Sequence, residues 1–393
     1  MQYRRFGRTE LKIPVFSCGG MRYQYKWQDT SQDEIPAENQ ANLETIIQTA
    51  LELGINHIET ARGYGTSEMQ LGRILKDLPR EQLIVQTKVS PEKDPQVFRQ
   101  NFEKSLKYLQ LDYVDLFSIH GINNREILDY ALRPGGCLEE AKKLQKEGKF
   151  KFLGFSTHAP TDIIIQAIES DQFDYLNLHW YWIYQKNWPA IEAANRHDMG
   201  VFIISPSDKG GKLYDPSPKL VELCSPLSPI VFNNLFCLSH PQVHTLSIGA
   251  AKAQDFHEHL KTLDLLEQAK EILPTILERL QAEFVKVLGQ DWANSWDIEL
   301  PNWQDTPDEI NIETILWLRN LALAYDMIDF GKTRYNLLGN GNHWFAGNKA
   351  KNLNNLDLSD CLRNSPNQAK IPSYLAEAHD LFKGEELKRL SQT

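Results

Sequence analysis

The chain has 393 residues, 41% hydrophobic and 24% charged, the balance of a globular protein, and it is long for one ordinary domain. A formal net charge of -10 argues against a nucleic-acid surface, and no apolar run approaches the roughly 18 residues of a membrane span. The opening MQYRRFGRTELKIPVF has no signal-peptide core and the five cysteines are scattered, so a cytoplasmic protein with reduced thiols is expected.

MQYRRFGRTELKIP alternates apolar and polar residues around Gly7 to Glu10, which predicts a β-hairpin. Short apolar runs follow at VFSCGG, INHIET, LIVQTKV, VDLFSIH, FLGFST, FDYLNL, GVFIIS and HTLSIG. Most are separated by stretches of helical spacing such as ANLETIIQTALEL and PQVFRQNFEKSLKYL. Eight β/α units in about 260 residues predict an α/β chain folded as a (β/α)8 barrel, with the N-terminal hairpin closing its floor. An open doubly wound sheet would carry G-x-G-x-x-G after its first strand, and the sequence has none.

After HTLSIG the pattern changes. AKAQDFHEHLKTL and LLEQAKEILPTILERLQAEFVKVLG read as helical, the second interrupted by Pro274 and ended by Gly289. The remainder is rich in Asn, Trp and Leu and carries the turn run GNGNHWFAGNKAKN. The predicted organisation is a barrel over residues 1–265, a helical linker over 266–290 and a small, mostly α-helical C-terminal domain over 291–393.

Three polar residues stand where successive strands should end: Tyr64 after INHIET, Lys88 closing LIVQTKV and His120 closing VDLFSIH. In a parallel barrel those ends share one mouth, and a phenol, an ammonium and an imidazole there point to proton transfer to a carbonyl oxygen. Gly63 and Gly65 permit a tight turn at Tyr64. A neighbouring Lys88 would lower the phenol's pKa, Glu59 would pair with the lysine, and His120 would orient the substrate oxygen. Taken singly, each also reads as a turn aromatic, a snorkelling lysine or a loop cap; their joint placement favours a site.

GINHIETARGYGTSEMQLG, the KV of LIVQTKV and DLFSIHG resemble the aldo-keto reductases, whose pattern is an acid, a Tyr, a Lys and a His in that order. The resemblance spans nearly the whole barrel. It implies NADPH-dependent reduction of an aldehyde or ketone, with Tyr64 donating the proton, Lys88 tuning it and His120 positioning the carbonyl. Glu59 stands where the family has Asp, and one added methylene displaces the carboxylate by roughly 1.5 Å. The alternative is therefore a nicotinamide-nucleotide-binding sensor or regulatory subunit with weak turnover.

The resemblance also implies cofactor contacts. FSTHAP gives Ser156 and His158, and the next strand gives Asn177, toward the nicotinamide amide. SPSDKGGKL gives Ser205, Ser207, Lys209 and Gly210 toward the pyrophosphate, and SIGAAKAQDFHEHL gives Ala251 and Lys252 toward the 2′-phosphate and Glu258 and His259 toward adenine. His240 with His244, and His257 with His259, lack a supporting Cys or carboxylate triad, so no metal is expected. The aromatic stretch HWYWIYQKNWP reads equally as a substrate-pocket wall or as packing.

A subset of the family carries a ferredoxin-like tail with two cysteine runs. LPNWQDTPDEI and LSDCLRNSP resemble them, with Leu300, Trp303, Thr306, Leu358 and Ser365 in cysteine places and only Cys361 kept. A degenerate domain without an iron–sulfur cluster is expected, because one thiolate cannot hold one. The expected partner is a small-molecule carbonyl compound, with neither nucleic acid nor membrane.

Overall fold

The computed structural model of the chain describes residues 1–387 apart from 342 and 344. Part of the predicted turn run and the last six residues of the predicted C-terminal domain therefore lie outside the described residues. Strands β1 (Tyr3–Arg5) and β2 (Lys12–Pro14) form an antiparallel hairpin, with Tyr3 opposite Pro14. Eight strands follow: β3 (Phe16–Gly19), β4 (His57–Glu59), β5 (Ile84–Val89), β6 (Val114–His120), β7 (Phe150–Ser156), β8 (Tyr175–Leu178), β9 (Gly200–Ile203) and β10 (Thr245–Ile248). They close a parallel barrel in chain order, β10 returning to β3. All eight predicted strand runs are strands.

Helices cover the barrel where apolar side chains recur every three to four residues. In Pro95–Leu109 the Asp94 side chain accepts from Gln96 N at 2.9 Å, and Phe98, Phe102, Leu106 and Leu109 are buried. Phe102 meets Phe117 of β6 with ring centroids 4.3 Å apart. The left-handed Gln110 then ends the helix. Among the described residues no single helix is long and apolar enough to cross a membrane.

The hairpin closes the floor through Phe6, which is fully buried and lies 5.5 Å from the Tyr175 ring. Two glycines make room. A Cβ on Gly200 would come within 2.6 Å of the Phe6 ring, and one on Gly154 within 2.5 Å of Tyr175. Above this floor the barrel holds a buried polar layer. His57 Nε2 lies 3.0 Å from Gln86 Oε1, and Gln86 Nε2 donates to Ser118 Oγ at 3.1 Å and to Asn177 Oδ1 at 3.3 Å. Ser118 and Tyr175 hydroxyls lie 2.8 Å apart.

Burial lowers His57 to a pKa of about 3 and His259 to about 4. Both are depressed below the unfolded value, so from about pH 6.5 downward the unfolded chain binds more protons and stability falls as pH falls. Each should cost about 2 kcal/mol at pH 5 relative to pH 7. Differential scanning calorimetry checks this: Tm should drop between those pH values, and by less in His259→Gln; an equal drop would remove His259 from the account.

The chain divides into two compact units, Met1–Gly210 with Asn233–Ala269, and Gly211–Phe232 with Lys270 onward. Of the predicted linker, residues 266–269 fall in the first unit and 270–290 in the second. Helix Ala269–Leu288 passes through Pro274, which sits in its second turn and removes a single backbone hydrogen bond. Gly211–Phe232, placed in the barrel by strand spacing, is also held in the second unit. Ser217 Oγ donates to Tyr325 O at 2.7 Å, and Arg279 Nη1 donates to Leu223 O at 3.0 Å and Ser225 O at 2.8 Å.

The second unit is mainly helical, with Ile312–Tyr325, Ile328–Tyr335 and Ile371–Phe382 around buried Leu316, Phe330, Leu375 and Phe382. Trp292 is buried and donates to Asn320 Oδ1 at 2.9 Å. Of the cysteine places, Thr306, Leu358 and Ser365 are buried, whereas Leu300, Trp303 and Cys361 are partly exposed. Thr306 Oγ1 donates to Ile310 O at 2.9 Å, a local turn bond.

Candidate active site

Glu59, Lys88 and His120 stand at or beside the C-terminal ends of β4, β5 and β6, and Tyr64 follows in the turn after β4. Lys88 is 1% exposed. Its Nζ forms an ion pair with the Glu59 carboxylate and donates to Thr60 O at 2.8 Å. The same Nζ lies 5.0 Å from the centroid of the Tyr64 ring, which meets His120 edge-on with centroids 5.9 Å apart. The four groups named by spacing therefore converge.

The turn that carries Tyr64 is tightly held. Tyr64 N donates to Ala61 O at 3.0 Å, and Gly65 has φ +56 with Lys26 O only 1.9 Å from where a Cβ would be. Arg62 forms ion pairs with Glu68 and Asp29 and covers the Tyr108 ring at 4.7 Å. Glu68 is fully buried and accepts from Thr87 Oγ1 at 2.6 Å. Only neighbours distant in sequence reveal that arrangement.

Electrostatics differ from the sequence expectation at one point. A nearby lysine was expected to lower the Tyr64 phenol, but burial raises it. The ring's own desolvation is the cause, and Lys88, 5.0 Å from the ring centroid, is likewise desolvated and lowered well below its ordinary value. Tyr64 consequently keeps its proton at neutral pH.

The neighbouring strand ends are in register, His120 beside Ser156 and Ser156 beside Asn177. Ser156 Oγ accepts from Gly121 N at 3.0 Å. Asn177 is fully buried; its Oδ1 accepts from Gln86, while its Nδ2 has no hydrogen-bond partner. His158 and Lys209, expected at different parts of a cofactor, come together: Lys209 Nζ lies 3.2 Å from His158 Nδ1 and 3.3 Å from His179 Nε2. His179, just beyond β8, was not singled out by spacing, and its Nε2 lies 2.7 Å from His158 Nδ1.

The loop after β9 is compact. Ser205 has φ +53 and accepts from Lys209 N at 3.0 Å, Ser207 is buried, and a Cβ on Gly210 would lie 1.9 Å from Pro206 O. After β10, Ala251 N donates to Asp255 Oδ2 at 2.8 Å, and Lys252 is exposed. Arg22, from the loop after β3, donates to Gly249 O at 2.8 Å and approaches Asp255 at 3.9 Å. It brings a second cation to a segment where the sequence shows only Lys252.

Glu258 is partly exposed and pairs with Lys261 at 2.6 Å. His259, expected toward adenine, is fully buried, lies 3.0 Å from Asn234 Nδ2 and packs against Phe16. His240 packs on Trp180 and His244 accepts from Val201 N at 2.9 Å. Trp180, from the aromatic stretch, stacks on Phe236 at 5.0 Å and is buried, which settles that ring as packing.

The family model described as "Aldo/keto reductase family" matches residues 16–211, from β3 through the loop after β9. The chain belongs to the aldo/keto reductase family. Similar proteins include a probable aldo-keto reductase 1 of Glycine max, 27% identical over 50% of this chain and 56% of that protein. L-galactose dehydrogenase of Arabidopsis thaliana is 32% identical over 43% of this chain and 52% of that one. The chain thus spans a little over half the length of these two curated relatives. The chain of this aldo/keto reductase matches the holo form of an aldo-keto reductase from Bacillus halodurans with TM-score 0.59. That match has 20% identity and covers 71% of this chain and 96% of the other, a likeness of fold.

Proposed function

We propose that this aldo/keto reductase converts a small aldehyde or ketone to an alcohol with NADPH, in the cytoplasm, with Tyr64 as the proton donor. The observation that carries the reading is the convergence of Tyr64, Lys88, Glu59 and His120 at one end of the barrel. Tyr64 gives its proton to the substrate oxygen as negative charge develops there. Lys88, beside the ring, stabilises the phenolate left behind, and its ion pair with Glu59 opposes the desolvation that lowers the lysine. His120 holds the carbonyl oxygen by a hydrogen bond.

The unpartnered Nδ2 of buried Asn177 is a donor in want of an acceptor, which a nicotinamide carboxamide fits. Asn177, Ser156 and His158 would hold the nicotinamide end. Ser205, Ser207, Lys209 and Gly210 would hold the pyrophosphate, and Ala251 and Lys252, joined by Arg22, the 2′-phosphate, with Glu258 toward adenine. When bound, NADPH supplies the hydride. The tail takes no part in redox chemistry in this reading, since Cys361 alone offers too few thiolates for an iron–sulfur cluster.

A panel of aldehydes assayed by loss of NADPH absorbance tests the reading, with turnover expected. Tight NADPH binding without turnover of any aldehyde would support the sensor role that Glu59, in place of Asp, suggests. NADPH should bind more tightly than NADH, by about tenfold to about a hundredfold for one charge-assisted hydrogen bond to the 2′-phosphate. Lys252→Ala should narrow that ratio in a fluorescence titration; an unchanged ratio removes Lys252 from the assignment.

A further inference from the structure

The C-terminal unit contains two adjoining cavities, of about 500 Å³ and about 300 Å³, that share Lys349, Lys351, Asn352 and Glu386 in their walls. The smaller adds Lys383, His379 and Asn336. Lys349 is 7% exposed, and its Nζ lies 3.5 Å from Glu386 Oε1, a carboxylate at the surface. Lys351 reaches the same oxygen at 2.9 Å. One solvent-facing carboxylate thus stands against two ammonium groups, one of them buried. Lys383 pairs at 2.7 Å with the exposed Asp380 on its own helix end. Burial lowers His379, Asp380 opposes this, and all three lysines add to the lowering.

Asn336 supplies a second, independent observation. It is 5% exposed, its Nδ2 donates to Lys332 O at 2.9 Å and Phe382 O at 2.8 Å, and its Oδ1 has no hydrogen-bond partner. A buried acceptor left without a donor in a cavity wall is costly unless a ligand or water supplies one. Asp308 and Glu309 line the larger cavity alone and disfavour an anion there, whereas Lys383 lines the smaller one, which leaves the smaller cavity as its place.

We propose that the C-terminal unit is a binding site for a small phosphorylated molecule, held by Lys349, Lys351 and Lys383, with a ligand hydroxyl or amine donating to Asn336 Oδ1 and Glu386 as the internal competitor. Each ammonium carries three donors, matched to the several acceptor oxygens of a phosphate. Glu386, exposed and near the end of the described chain, occupies two of the lysines until a stronger anion displaces it.

Isothermal titration of the full-length chain with inorganic phosphate, at low ionic strength, tests the proposal. Saturable binding is expected, weakened by about tenfold or more in Lys351→Ala/Lys383→Ala and strengthened in Glu386→Gln. Lys351 and Lys383 are exposed, so the double variant should fold and retain its aldehyde reduction. Phosphate held elsewhere in the chain would be indifferent to all three substitutions. Equal affinity in the double variant, or weaker binding in Glu386→Gln, overturns the site; malonate binding more tightly than phosphate overturns the phosphate assignment.

Discussion

Tyr64→Phe is expected to lower kcat for aldehyde reduction by at least about 100-fold while leaving NADPH affinity nearly unchanged. The substitution removes one oxygen and keeps the ring, so the edge-on contact with His120 and the tight turn through Gly65 should persist. Burial raises the phenol, which therefore enters the reaction protonated, and nothing in a phenyl ring can replace that proton. Steady-state kinetics with a fluorescence titration of NADPH would separate the two effects. Near wild-type turnover in the variant would sink the assignment of Tyr64 as the acid.

The second large effect is expected at the buried ion pair. Glu59→Leu leaves the Lys88 ammonium, 1% exposed, without its counter-charge, which should cost about 3–5 kcal/mol of stability. Adding Lys88→Met should restore most of that loss, because two apolar side chains need no charge compensation in the barrel. Denaturant melts of the three proteins provide the comparison. The double variant should be folded but inactive, separating the pair's part in stability from its part in tuning Tyr64. If the single and double variants unfold alike, the pair is not what holds Lys88 in place.

The strands and their order were legible because eight short apolar runs alternate with helical spacing, and β-period and helix-period patterns are hard to confuse at that length. Glu59, Lys88 and His120 were legible for the same reason, since a polar residue closing an apolar run is conspicuous, and Tyr64 stands out between two glycines in the turn that follows β4. His179 was not, since it sits one residue past β8 among aromatics that resemble packing. Arg22 was hidden because it reaches Gly249 from the far end of the barrel sequence. The polar layer of His57, Gln86, Ser118 and Tyr175 reads locally as ordinary strand alternation, and only closure of the barrel makes those side chains neighbours. The burial of His259 was likewise not legible, because it is set by Phe16 and Asn234, both distant in sequence.

The path of the chain between the units bears on how such a protein could arise and be re-engineered. Gly211–Phe232 is made before β10 can close the ring, yet it is tied to Tyr325 and Arg279, which are made afterwards. The second unit is therefore interleaved with the barrel in the gene rather than appended to it. A single cut at Ala269 would not separate two modules; it would leave the barrel carrying a segment whose hydrogen-bonding partners had been removed. Exchange of this unit between related barrels requires two coordinated replacements, of Gly211–Phe232 between β9 and β10 and of the chain from Lys270 onward, with three junctions in all, and inheritance by simple end-to-end fusion would have had to be followed by recruitment of the inner segment.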